Sequence, residues 1–187
     1  MSQSIGPKVR FIISIDSTKI VFRGILRYIN AMQKTNAIRL LDAAGIPYTT
    51  AEYEVDENDL SGTHAAALLG IPPEQVFKTL VLQGSSGAYI VCCIPVAEAL
   101  DLKKAARICG EKNIDLIPVK NLPALTGYIR GGCSPIGMKK EFPTYIDETA
   151  ELFDTIGVSA GVRGCQVILA PGDLLAFISA KTADLTV

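Results

Sequence analysis

The sequence predicts an α+β domain built on a mixed, largely antiparallel sheet with surrounding helices. Three observations lead there. Apolar stretches of strand character fall in pairs around short turn-rich loops, as in hairpins. Stretches with a period near 3.6 lie between those pairs, without the regular strand–helix alternation of a parallel α/β fold. The chain has 187 residues, 49% of them hydrophobic and 20% charged, which fits one domain of ordinary size.

Each element has its own signal. Ala37, Ile38, Leu40, Leu41 and Ala44 recur at helical spacing, and Gly45 stands where a left-handed glycine ends a helix. Ile46-Pro47 breaks the chain, and residues 48–55 alternate as a strand. Thr63 is the expected N-cap of a short helix over 64–69, closed by Gly70. Pro72-Pro73 turns the chain into a strong strand over 76–82. Residues 83–87 read as a hairpin loop and 88–94 as the returning strand. Asp101 is placed to cap a helix over 102–109, ended by Gly110. A short strand over 114–119 and a helical turn over 122–126 lead into a glycine-rich loop, 127–137. Tyr145-Ile146 has strand character, and Asp147 opens a short helix to Phe153. Strands over 155–159 and 165–170 flank a turn at 160–164, and Pro171 starts a last helix reaching Ser179. Residues 1–31 are apolar and basic with no clear period or cap. They read as a poorly ordered N-terminal extension, and residues 32–187 as the domain.

Composition excludes several chemistries. His64 is the sole histidine, and the five cysteines (Cys92, Cys93, Cys109, Cys133, Cys165) contain no C-x-x-C pair. A zinc finger, an H-E-x-x-H site and a two-histidine iron site are therefore ruled out, and no metal or cofactor is expected. A Ser-His-Asp triad would have to use His64. The cysteine number is odd, and Lys8 and Arg10 are followed only by the short apolar run 11–15, too brief for a secretory core. A reduced, cytoplasmic protein is the expectation. No stretch of about 18 uncharged apolar residues is present, so no membrane partner is expected.

Charge is unevenly spread. Residues 1–34 carry six basic residues and one acid, whereas residues 35–187 carry 12 basic and 18 acidic. Within that acidic remainder, residues 102–140 hold eight basic residues against Glu111 and Asp115. Such a block reads either as a local anion site or as a solvated charged face. Lys103 and Arg107 share one face of their helix.

Two places carry potential chemistry. Lys78 shares its strand face with Val76, Leu80 and Leu82. An ammonium among aliphatic neighbours needs an anion or a hydrogen-bond partner, unless its stem reaches water. The loop 127–137 holds four glycines in eleven residues. Gly131-Gly132 can take positive φ and bring N–H groups close to a ligand, Ser134 adds a hydroxyl and Pro135 stiffens the turn. The spacing is neither a Walker loop nor a nucleophile elbow, so an irregular structural turn is the competing reading. Cys133 lacks a histidine nearby and reads better as a packed thiol than as a nucleophile. Tyr53, between Glu52 and Glu54, either reaches a cleft or covers the sheet.

Phe77-Lys78-Thr79-Leu80, the stretch from Gly127 to Lys140, and Val158-Ser159 through Arg163-Gly164 together resemble the YbaK/EbsC family, free-standing relatives of the prolyl-tRNA synthetase editing domain. The likeness runs from about Lys34 to the C-terminal end. It implies a partly barrel-like sheet and a trans-editing deacylase acting on mischarged Cys-tRNA(Pro), with Cys-tRNA(Cys) as a second candidate substrate. Lys78 matches the family's essential lysine, and Tyr53, Gly131 and Ser159 match positions around its substrate pocket. Gly132 and Ser134 of the same loop join the expected substrate-binding set. Lys103, Arg107, Lys139 and Lys140 are expected to face tRNA, and prolyl-tRNA synthetase is an expected partner. Ala160 and Val162 depart from the family's Gly-Gly-x-Arg-Gly turn with its basic residue at x, and Gln166 stands where an acid is sometimes found. The competing assignments are an Ala-tRNA(Pro) deacylase on the same fold and a non-catalytic tRNA- or synthetase-binding module.

Overall fold

Phe77–Gly84, the strand with the strongest sequence signal, sits inside a five-stranded sheet and sets the position of everything that follows. The computed structural model describes residues 11–13 and 34–187. In chain order the elements are β1 (Phe11–Ile13), α1 (Asn36–Ala44), β2 (Thr49–Glu52), α2 (Gly62–Leu69), β3 (Phe77–Gly84), β4 (Tyr89–Pro95), α3 (Leu102–Cys109), β5 (Ile114–Leu116), α4 (Leu122–Thr126), β6 (Thr144–Asp147), β7 (Ile156–Ser159), β8 (Cys165–Leu169), α5 (Pro171–Phe177) and β9 (Lys181–Ala183). The strands form two sheets, ordered β1-β2-β8-β7 and β5-β3-β4-β6-β9. Most pairs are antiparallel, but β4–β6 and β6–β9 are parallel. The α+β mixed sheet follows the sequence expectation. Apart from β1, which pairs antiparallel with β2, the expected extension over residues 1–31 lies outside the described residues.

Local chemistry explains the helix ends. Asp101 accepts from the N–H groups of Lys103 and Lys104, and Gly110 closes α3 in the left-handed region at φ 72°. α2 begins earlier than expected. Ser61, not Thr63, is its N-cap, because the Ser61 hydroxyl accepts from the His64 N–H. The β3–β4 hairpin is also longer than its pattern implied. Glu111 accepts from Ser85 and Ser86, so the tip is tied to the end of α3 rather than left as a free loop.

The main core lies between the sheets. Phe77, Val81, Val91 and Ile146 from the five-stranded sheet pack with Ile156, Val158, Val167 and Leu169 from the other. Each such side chain contributes about 1.5–3 kcal/mol when fully buried. The opposite face of the five-stranded sheet carries Leu82, Ile90, Cys92 and Ile94, covered by Ala105 and Ala106 of α3. β9 has no strong strand pattern. It is held because buried Asp147 accepts from the Thr149 N–H, the Thr149 hydroxyl and the Leu185 N–H, fixing the chain beyond β9. The two sheets meet where Val76 bridges Gly157 in parallel. Among the described residues, no helix is long and apolar enough to cross a membrane.

Candidate active site

Lys78 is half-buried on β3, opposite fully buried Ile94. Of the neighbours expected on its face, Val76 and Leu82 are at most 1% exposed and Leu80 is partly buried. The ammonium therefore depends on hydrogen bonds. It donates to the carbonyl of Val96 at 3.1 Å and of Glu98 at 2.5 Å, where the chain turns away from β4. Burial lowers its pKa below the usual lysine value, partly offset by the Glu98 carboxylate. An ammonium has three donors, so one N–H remains without a protein acceptor among the described residues.

The parallel bridge connects this lysine to the second sheet. Lys78 and Ser159 each lie two residues beyond the bridged pair, Val76 and Gly157, and leave it in the same direction. Ser159 is 7% exposed, and its hydroxyl accepts from the Gly161 N–H. Across β8 it pairs with Gln166, which in turn pairs with Ala51 on β2. Directly paired residues share a sheet face, so Ser159, Gln166 and Ala51 form one row. Tyr53 follows Ala51 by two residues and donates its N–H to Gly164 O at 2.9 Å. Gln166 is 7% exposed, and its Oε1 has no hydrogen-bond partner among the described residues.

The glycine-rich loop packs against the β7–β8 turn next to this row. Gly131 adopts φ 84°, a conformation that glycine takes without strain. A Cβ on Gly132 would stand 3.0 Å from both Val162 C and Arg163 N, so the loop abuts the β7–β8 turn. Tyr53, Asp59, Leu60, Ser61, Gly131 and Arg163 line a small cavity of about 10 Å³, space for about one water. On the far side of this rim, the start of α2 presses on the segment that holds Lys78. A Cβ on Gly62 would overlap the Val96 side chain at 2.3 Å.

Several sequence expectations change here. The Gly132 N–H donates to Ile129 O at 3.0 Å, so it is unavailable as part of an oxyanion trap; of the two glycines, Gly131 keeps its N–H without an acceptor among the described residues. Ser134 is fully buried, and its hydroxyl accepts from the Ile136 N–H, which makes it a brace of the loop in this structure. Cys133 has its thiol pushed up to about 12 by burial, the state of a packed thiol. His64 sits within α2, 3.8 Å from Asp59. Lys103 and Arg107 are exposed on α3, and Lys139 and Lys140 are exposed just after the glycine loop; none lines the small cavity. Lys139 donates to Pro123 O at 3.1 Å. Sequence reasoning did not assign Arg163 a role, nor identify the carbonyls of Val96 and Glu98. The arginine in the quoted turn motif was the available signal for the first, and nothing local marked the second.

Comparison with known proteins gives the family. The sequence model of the aminoacyl-tRNA editing domain matches residues 60–177. The chain is 46% identical, over 82% of its own length and 94% of the relative's, to EbsC of Enterococcus faecalis, a candidate Cys-tRNA(Pro)/Cys-tRNA(Cys) deacylase. A solved structure of a candidate trans-editing enzyme for prolyl tRNA synthetase is 25% identical, with a TM-score of 0.70 over 81% of this chain and 95% of that one. A scaffold protein used in computational epitope grafting is 27% identical, with a TM-score of 0.72 over 81% of this chain and 95% of that one. Sequence and fold agree over nearly the whole of these relatives, and the chain belongs to the aminoacyl-tRNA editing domain family as a member of its YbaK/EbsC branch.

Proposed function

We propose that the protein is a trans-editing deacylase that removes cysteine from mischarged Cys-tRNA(Pro), and from Cys-tRNA(Cys) as a second substrate. Residues 32–187 are the deacylase domain in this reading, with residues 1–31 as an extension. The observation that carries it is the half-buried Lys78 ammonium, held by two carbonyls with one N–H to spare, on a strand whose backbone bridges that of Ser159 in parallel two residues earlier.

An aminoacyl ester is already activated, so its cleavage needs positioning and charge stabilisation more than a general base. In the proposed first step the substrate's own thiol attacks its carbonyl. A C–S bond forms and the ester C–O bond breaks. The electron pair goes to the ribose oxygen, which takes the thiol proton, and tRNA leaves. The resulting thiolactone is then opened by water to give free cysteine. Lys78, together with the Gly131 N–H, would stabilise negative charge on the reacting oxygens. The substrate thiol acts in place of an enzyme nucleophile, in keeping with a site whose Cys133 is a packed thiol.

Size alone separates small side chains by only about 1–3 kcal/mol. Thiol reactivity is therefore the main source of preference for cysteine over alanine. The deciding experiment is a deacylation panel with Cys-tRNA(Pro), Ala-tRNA(Pro) and Cys-tRNA(Cys), comparing wild type with Lys78→Ala. Rapid, Lys78-dependent release of cysteine is expected. Faster release of alanine would transfer the assignment to an Ala-tRNA(Pro) deacylase, and tRNA binding without turnover would leave a binding module. Lys103, Arg107, Lys139 and Lys140 are proposed to face tRNA, with prolyl-tRNA synthetase as a partner. Affinity for tRNA should then fall steeply with added salt; a flat response removes those four residues from the interface.

A further inference from the structure

The segment from the end of β2 into α2 is strongly acidic, with Glu52, Glu54, Asp56, Glu57 and Asp59 in eight residues. It lies over a site expected to receive the end of a polyanion. Asp56 and Asp59 are occupied in their own loop, accepting from the N–H groups of Asn58 and Ser61. Glu57 reaches across. Its carboxylate pairs with Arg163 Nη1 at 2.7 Å, joining segments 106 residues apart. Arg163 is anchored independently, since its Nε donates to Arg130 O at 2.9 Å and its chain packs against Gly131. The arginine of this pair lines the small cavity that Tyr53, Asp56, Asp59, Ser61 and Gly131 also line, with space for about one water. The arginine side chain is 27% exposed and the glutamate 69%, so the acid is the easier partner to displace.

We propose that Arg163 is a substrate-positioning residue that exchanges partners: Glu57 in the free protein, and a phosphodiester oxygen near the acylated RNA end in the complex. A guanidinium fork suits both anions. With Nε held by Arg130 O, exchange at Nη1 needs movement of the acidic loop alone. Glu57 then acts as a stand-in anion that keeps the site shut until RNA competes for the arginine. This inference rests on the deacylase reading and specifies how that site admits its substrate.

The test is a double-mutant cycle with Glu57→Gln, Arg163→Gln and the double variant, measuring kcat and KM for Cys-tRNA(Pro) and, separately, the affinity for uncharged tRNA. Exposed ion pairs are weak, so Glu57→Gln should lower KM about two- to fivefold, with kcat unchanged. Arg163→Gln should raise KM, and in that background Glu57→Gln should have little further effect. Equal gains from Glu57→Gln in both backgrounds would mean general charge repulsion and overturn the proposal, as would an unchanged KM in Glu57→Gln alone. The second criterion holds even if Arg163→Gln disturbs the loop through Arg130. If no variant deacylates any substrate, the functional reading fails, while the cycle on uncharged tRNA still decides the partner exchange.

Discussion

Replacing Lys78 separates chemistry from stability. Its ammonium donates to Val96 O and Glu98 O. In Lys78→Met the exposed Glu98 segment exchanges its lost bond for water, whereas Val96 is only 7% exposed. One sealed acceptor left unsatisfied costs about 1–3 kcal/mol. Removing a charge that burial already disfavours offsets part of that, and the methionine stem keeps contact with the Ile94 face of β4. A net loss of about 1–2 kcal/mol remains, against a typical total of about 5–15. Tm should fall by about 2–8 °C for a chain of this size, so the fold survives. Catalysis should fall much further. Removing a charge-stabilising donor costs about 10²–10³-fold in kcat. Thermal unfolding followed by circular dichroism, alongside initial rates of cysteine release from Cys-tRNA(Pro), reads both quantities on one preparation. A folded Lys78→Met protein within about threefold of wild-type kcat/KM would refute the assignment of Lys78 to the chemistry.

Other substitutions probe the surroundings. Gly132→Ala would push a methyl group to 3.0 Å from the backbone of Val162 and Arg163, so Tm and deacylation should both drop. Gly172→Ala, where a Cβ meets nothing within 4 Å, is the control and should leave activity unchanged with equal or higher Tm. Gln166→Met removes a buried acceptor that has no partner and should hold or raise Tm; a fall beyond about 4 °C would show that the amide is satisfied in the native protein. The lowered pKa of Lys78 has a linked effect on stability. Between that value and the ordinary 10.5 the unfolded chain binds more protons at this group, so the wild type should gain stability relative to Lys78→Met as pH rises through the window. Denaturant titrations at several alkaline pH values measure this, and a constant difference would count against the burial of the charge.

Signals confined to about ten residues are legible in the sequence, because they arise from the chain's own local geometry. α3 appears between Asp101 and Gly110 as expected, since a capping carboxylate and a left-handed glycine act on adjacent backbone. The alternation around Lys78 set it beside Val76, Leu80 and Leu82, and the strand register pairs Lys78, Leu80 and Leu82 with Ile94, Cys92 and Ile90, since strand side chains change face at every residue. The motifs of the Lys78 strand and the glycine loop carry the family resemblance within the sequence itself.

Assembly of the site depended on pairings that no local pattern encodes. Val76 meets Gly157, and Arg163 meets Glu57, through contacts between segments distant in sequence. Loop hydrogen bonding likewise decided which groups remain available: Gly132 and Ser134 joined Gly131 in the expected substrate-binding set, yet the first donates its N–H to Ile129 and the hydroxyl of the second accepts from Ile136. Residue type alone determined which groups are capable of the chemistry. Their availability was set by which donors and acceptors the folded chain satisfies internally, because a polar group already paired inside the protein has little left to offer a substrate.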